Sequence, residues 1–126
     1  MTYVGIVLVS HSEKVTIGLK EIIRQVIHEV PVEAAGGTDD GEIGTSMDKI
    51  KTAIQRADQD RGVLLFYDLG SAKMNAELAI ELADRRKIQL VEAPLIEGAY
   101  VGAVEASIGK NIDEIIESIE QSFQES

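Results

Sequence analysis

The run Tyr3-Val4-Gly5-Ile6-Val7-Leu8-Val9 is apolar at consecutive positions rather than at alternate ones. A strand of this kind needs cover on both faces, a condition met in parallel sheets sandwiched between helices. The rest of the chain repeats the arrangement. From Glu13 to about Val30, apolar residues recur at helical spacing (Val15, Leu19, Ile22, Ile23, Val26, Ile27), and Pro31 ends that helix. Val32 to Ala35 reads as a second short strand, and Gly36-Gly37-Thr38-Asp39-Asp40-Gly41 as a loop of turn formers. Thr45 or Ser46 can cap the next helix, whose inward face is Met47, Ile50, Ala53, Ile54 and Ala57. Gly62 to Tyr67 forms a third strand around the apolar run Val63-Leu64-Leu65-Phe66. A helix follows through Ala72, Met74, Ala76, Ala79, Leu82 and Ala83, and then a fourth strand from Ile88 to Glu92. After Pro94, the small residues Gly98, Ala99, Gly102, Ala103 and Ala106 predict a helix from Ile96 to Ile108 packed closely on the sheet and ended by Gly109. Asn111 caps a last amphipathic helix with Ile112, Ile115, Ile116, Ile119 and Phe123 inward. The expected fold is α/β: a parallel sheet of four main strands with helices on both faces, one domain over residues 1–126 with no linker or repeat.

Composition narrows the function classes. Twenty-two acidic residues against twelve basic ones give a net charge of −10. This argues against nucleic acid and against anionic membrane surfaces, both of which ask for a cationic face. A protein partner with a basic face would be steered toward this chain. There is no cysteine, so disulfides and thiolate chemistry are out. The apolar run near the start is short, lacks a basic leader and has no small-residue cleavage site after it, and no stretch approaches the roughly 20 apolar residues that cross a bilayer. A soluble cytoplasmic protein is expected.

Four parallel strands with helices on both faces most simply take the order 2-1-3-4. The order reverses between the first and third strands, and a crevice opens there at their carboxyl ends. His11, flanked by Ser10 and Ser12, ends the first strand, and Asp68 ends the third. This topology brings the two side by side from distant parts of the sequence. A carboxylate accepting from one ring nitrogen fixes the tautomer, leaves the other nitrogen's lone pair free to attack, and stabilises charge that builds on the ring. Helix N-termini follow both residues, opened by Ser12 and by Gly70-Ser71, and backbone N–H groups there suit a phosphoryl group. Gly37 and Thr38 close the same rim from the second strand, where Gly36-Gly37 allows close backbone approach. Spacing alone leaves two readings open, this one and an ordinary His–Asp hydrogen bond.

Other features read as structural. His28 lies on the first helix off its apolar stripe, as a surface histidine would. Asp39-Asp40-Gly41-Glu42 lacks the spacing and ligand set of a calcium loop, so capping and turn roles fit it better, and no metal site is expected. No Gly-Lys-Ser/Thr follows Gly36-Gly37, so there is no Walker loop, and Gly5 begins no dinucleotide fingerprint. Tyr100 fits either a rim or an interface.

Four motifs carry a resemblance to a known family. They are Val9-Ser10-His11-Ser12, the stretch from Gly36-Gly37-Thr38-Asp39-Asp40-Gly41 through Glu42-Ile43-Gly44-Thr45-Ser46, Asp68-Leu69-Gly70-Ser71-Ala72-Lys73-Met74-Asn75, and Ala93-Pro94-Leu95-Ile96-Glu97-Gly98-Ala99. Each follows a predicted strand. On them the chain resembles the IIA domains of the mannose-type phosphotransferase system, and more narrowly the branch that serves phosphoenolpyruvate-dependent dihydroxyacetone kinase. The resemblance covers nearly the whole chain. It implies a phosphoryl group carried on Nε2 of His11, with Asp68 orienting the ring and no cofactor beyond the phosphohistidine itself. It implies receipt from the phosphocarrier protein HPr, which enzyme I charges from phosphoenolpyruvate. Delivery would be to ADP on the nucleotide-binding subunit of the kinase, where the regenerated ATP phosphorylates dihydroxyacetone. A homodimer is likewise implied.

Three rivals share this kind of fold. A sugar-transporting IIA domain would use the same chemistry at His11 but pass the group to a IIB partner; the second and third motifs favour the kinase branch. A receiver-like signalling module would be phosphorylated at Asp68, but it needs a pair of acids after the first strand, where Ser10, His11 and Ser12 stand. A flavin-binding domain needs a Ser/Thr-rich phosphate loop and stacking aromatics, whereas Glu13 and Lys14 follow the first turn and the chain holds three Tyr, two Phe and no Trp.

Overall fold

The computed structural model describes residues 1–83 and 87–123. Its elements run β1 (Gly5–Ser10), α1 (Glu13–Arg24), β2 (Val32–Gly36), α2 (Met47–Ala57), β3 (Val63–Tyr67), α3 (Gly70–Leu82), β4 (Ile88–Val91), α4 (Leu95–Ser107) and α5 (Ile112–Ser122). The three strand pairings are parallel and the order is β2-β1-β3-β4, as the alternating pattern predicts. Side chains along a strand point to opposite faces in turn. Accordingly Ile6, Leu8, Leu64 and Phe66 join a core with residues of α1, α4 and α5, while Val7, Val9, Val63 and Leu65 join a second core with α2 and α3. Among the described residues no helix is long and apolar enough to cross a membrane.

The caps follow the sequence. Ser46 rather than Thr45 caps α2, its hydroxyl accepting from Lys49 N at 3.1 Å. Thr45 Oγ1 instead accepts from Asn75 Nδ2 at 2.6 Å, tying the loop before α2 to α3. Asn111 and Glu114 cap α5 reciprocally.

Three details differ from the sequence expectation. First, α1 stops at Arg24 rather than near Val30, because the Arg24 guanidinium donates to the carbonyls of Ile27 (3.1 Å) and Val30 (2.7 Å) and so satisfies a non-helical turn. That turn buries Ile27 and Val30 in the core and leaves His28 exposed beyond the helix, not on it. Second, the buried stripe of α1 is Thr16, Leu19 and Ile23, whereas Val15, Ile22 and Val26 are exposed. Third, α3 meets the sheet through Ala72, Ala76 and Ala79, while Met74 and Leu82 face solvent. Met74 stands about 200° around the helix from Ala72, so an alanine seam that lets the helix close on the sheet turns the larger side chain away.

The small residues of α4 have a direct cause. A Cβ on Gly102 would lie 2.9 Å from Cζ of Phe66, and one on Gly98 would lie 2.8 Å from Cβ of Ala93. The helix therefore rests against the fully buried Phe66 ring only because these positions carry no side chain. Gly18 of α1 meets nothing within 4 Å. Gly102→Val is expected to lower stability by about 1–3 kcal/mol through overpacking. Gly18→Ala is expected to raise it by about 0.5–1 kcal/mol through helix propensity. Urea unfolding midpoints at unchanged slope check both.

Candidate active site at the carboxyl ends of β1 and β3

Parallel pairing of β1 with β3 sets Val9 opposite Tyr67, so the next residues, Ser10-His11 and Asp68, emerge together where the strand order reverses. Asp68 is the hub. Its Oδ2 accepts from Ser10 Oγ at 2.8 Å and from the His11 backbone N–H at 3.0 Å. Its Oδ1 accepts from the Leu69 N–H at 2.7 Å and lies 3.0 Å from His11 Nδ1. Burial pushes this carboxyl up. The donated hydrogen bonds from His11 N, Ser10 Oγ, the His11 ring and Leu69 N together outweigh it and hold the group below its ordinary value of 3.8.

An ionised carboxylate only accepts, so Nδ1 carries the ring proton of the neutral imidazole and Nε2 carries the lone pair. Ser71 Oγ lies 2.5 Å from Nε2 and donates to it. The ring is clamped at one end and open at the other, with the His11 side chain 21% and Asp68 23% exposed. The His11 backbone is pinned on both sides, its N–H to Asp68 and its carbonyl to the Gly44 N–H at 2.9 Å.

The other rim residues fall into two groups. Ser71 touches the ring, and Gly70 and Ser71 open α3, which has no side-chain cap at Leu69. The first N–H groups of such a helix stand ready for an anion. Ser12, Gly37 and Thr38 hold backbone instead. Ser12 Oγ accepts from Val15 N as the α1 cap, Gly37 N donates to the Ser10 carbonyl at 3.1 Å, and Thr38 closes its own turn with Glu42. Gly36 allows the close approach, since a Cβ there would lie 2.5 Å from the Ser12 carbonyl oxygen. Asp39 accepts from the Ser46 hydroxyl, in keeping with a turn and capping role for that acidic stretch. Tyr100 is half-buried and packs against the core under α4.

Sequence reasoning missed two contributors. Ser10 is fully buried and bonded to Asp68. The signal for it was parity: Ser10 continues the Ile6-Leu8 face of β1 as Asp68 continues the Leu64-Phe66 face of β3. The second is a surface cluster next to the site. Tyr67 Oη donates to Glu92 at 2.8 Å and Lys73 Nζ pairs with Glu92 at 2.8 Å, tying β3, α3 and the end of β4 together. Nothing in residue spacing announces that cluster.

Comparisons with known proteins bear on the same chain. The family described as "PTS system fructose IIA component" matches residues 5–116. The chain is 42% identical over 125 residues, 99% of each sequence, to the PTS-dependent dihydroxyacetone kinase phosphotransferase subunit DhaM of Lactococcus lactis subsp. lactis (strain IL1403). It is 46% identical over 101 residues, 80% of each, to the PEP-dependent dihydroxyacetone kinase 1 phosphoryl donor subunit DhaM of Listeria innocua serovar 6a. Among solved structures, a protein of unknown function, EF1359, superposes with a TM-score of 0.85 at 37% identity, covering 100% of this chain and 98% of that one.

The hydrogen bonds on Asp68 make a pH prediction. Its folded carboxyl sits below the ordinary value, so the unfolded chain takes up the proton first as pH falls. The stability Asp68 contributes is complete above about pH 4 and is lost as pH falls through the folded value. The gap in urea midpoint between the parent and Asp68→Asn should be widest near neutral pH and shrink below about pH 4.

Proposed function

Because this chain belongs to the EIIA-man family of phosphotransferase-system IIA components, we propose that it is the phosphoryl donor subunit of a phosphoenolpyruvate-dependent dihydroxyacetone kinase. It takes a phosphoryl group from phospho-HPr onto Nε2 of His11 and passes it to ADP on the nucleotide-binding subunit. The names of the two relatives above support the kinase branch. One observation carries the chemistry: the line of hydrogen bonds from Asp68 through Nδ1 to an Nε2 that faces a hydroxyl at the rim.

In the accepting step, the Nε2 lone pair attacks phosphorus in line, the new P–N bond forms, and the bond to the donor's nitrogen breaks. Nδ1 keeps its proton, so the substituted ring becomes cationic, and the Asp68 carboxylate 3.0 Å away stabilises that charge. The Ser71 hydroxyl gives up its bond to Nε2 and donates to a phosphoryl oxygen, joined by the open N–H groups of α3. In the delivering step, the terminal oxygen of ADP attacks, the P–N bond breaks, and its electrons return to Nε2 as the lone pair. The protein supplies position and charge compensation more than covalent chemistry. The net charge of −10 favours a basic docking face on HPr. The proposal places the protein in the cytoplasm as a homodimer, and a monomer mass by light scattering would remove the dimer from it.

Labelling with phosphoenolpyruvate, enzyme I and HPr, followed by a chase with the ADP-loaded subunit, tests the reading. The expected adduct is acid-labile and base-stable, and the chase yields ATP. Transfer to a IIB domain instead of ADP would assign the chain to sugar transport, and a base-labile adduct would move the group to an aspartate. His11→Gln should take no label while keeping the fold, and continued labelling refutes the assignment. Asp68→Ala should slow acceptance by roughly 10²-fold, the scale of a misplaced reacting group. Ser71→Ala should slow it by about tenfold, the scale of one hydrogen bond to a charged group.

A further inference from the structure

We infer that Ser10 is a positioning residue of the phosphoryl acceptor, its hydroxyl locking the rotation of the Asp68 carboxylate so that Oδ1 stays aimed at His11 Nδ1; this deepens the carrier reading and rests on it. The side chain is fully buried at the end of β1, on the same face of the sheet as Asp68. Its hydrogen-bond polarity is settled by its neighbours. Ser10 Oγ accepts from the Ser12 N–H at 3.0 Å, which leaves its own proton for Asp68 Oδ2 at 2.8 Å. The full line runs from Ser12 N–H to Ser10 Oγ–H to Asp68, and from His11 Nδ1–H to the other Asp68 oxygen, with Ser71 Oγ–H on Nε2 at the far end. Every donor in that line faces an acceptor.

Such a lock has work to do. The terminal torsion of an aspartate is broad and nearly two-fold, so the donors around the carboxylate set its rotation. Oδ1 takes the Leu69 N–H, from the residue next in the chain, and Oδ2 takes the His11 N–H, from the residue whose ring is being oriented. Both donors lie outside the strands, in the turns that follow β1 and β3. Ser10 is the one donor to this carboxylate that belongs to a strand, fully buried at the end of β1 and in register with Gly36 of β2. A serine that served only the turn after β1 would take the Ser12 N–H and have no need of the carboxylate.

The test is Ser10→Ala, read in two ways. Imidazole ¹⁵N NMR on the unphosphorylated protein should show the Nδ1–H tautomer in the parent and a mixture with Nε2–H in the variant. Phosphoryl acceptance from phospho-HPr should fall in kcat by roughly tenfold, the loss of one hydrogen bond to a charged group. KM should hold, because the docking face is untouched. Ser10→Cys keeps the shape with a weak donor and should fall between parent and alanine; it serves as the readout if the alanine variant does not fold. An unchanged tautomer and an unchanged kcat in a folded variant overturn the inference. The NMR arm needs no partner protein and so separates the two readings. A shifted ring in a protein that takes no phosphoryl group supports the lock and overturns the carrier reading. A labelled parent with an unmoved ring in the variant does the reverse.

Discussion

The lateral pairing of β1 with β3 is the constraint on which the site depends. Five residue pairs in parallel register, from Gly5 with Val63 to Val9 with Tyr67, set the two strand ends level. Without that register, Asp68 would not reach the backbone and the ring of His11 at once. The register is specified because both strands are buried on both faces. A slip by one residue would exchange Ile6 and Leu8 with Val7 and Val9 between two cores of different shape. The chemistry of a few polar atoms thus rests on the fit of apolar ones some distance below.

The two cores are built differently, and the difference reaches the site. Under α4 the sheet is met by glycines that seat the Phe66 ring, and under α3 by an alanine seam. Both devices shorten the distance between helix and sheet. For α3 that brings its first turn level with the end of β1, which is how Ser71 comes to touch His11. A bulkier seam would lift the helix and withdraw the hydroxyl.

Much of this was legible in the sequence because the relevant signals are local and strong. Unbroken apolar runs marked strands buried on both faces, and alternation with helical periods marked the parallel order. That order alone set His11 beside Asp68. What escaped depends on which side of a helix the tertiary structure uses. Leu82, Val15 and Ile22 are apolar and lie beside a buried stripe, and Met74 is apolar on the far side of its helix; all four face solvent, because α1 and α3 use narrower faces than their composition allows. The end of α1 escaped because an arginine in its last turn satisfies the carbonyls of a non-helical turn, and a cation there has no unique reading in a sequence. Ser10 stands inside a motif, but its role appears only once strand parity and neighbour are both known.

The way His11 is held limits how it can be reached. Its main chain is tethered on both sides, one ring nitrogen is turned inward, and four-fifths of the side chain is covered. What stays open lies at the Nε2 end of the ring. On the proposed carrier reading, donor and acceptor use that opening in turn, as at a counter with one window. Throughput then becomes a matter of how quickly one caller departs and the next arrives.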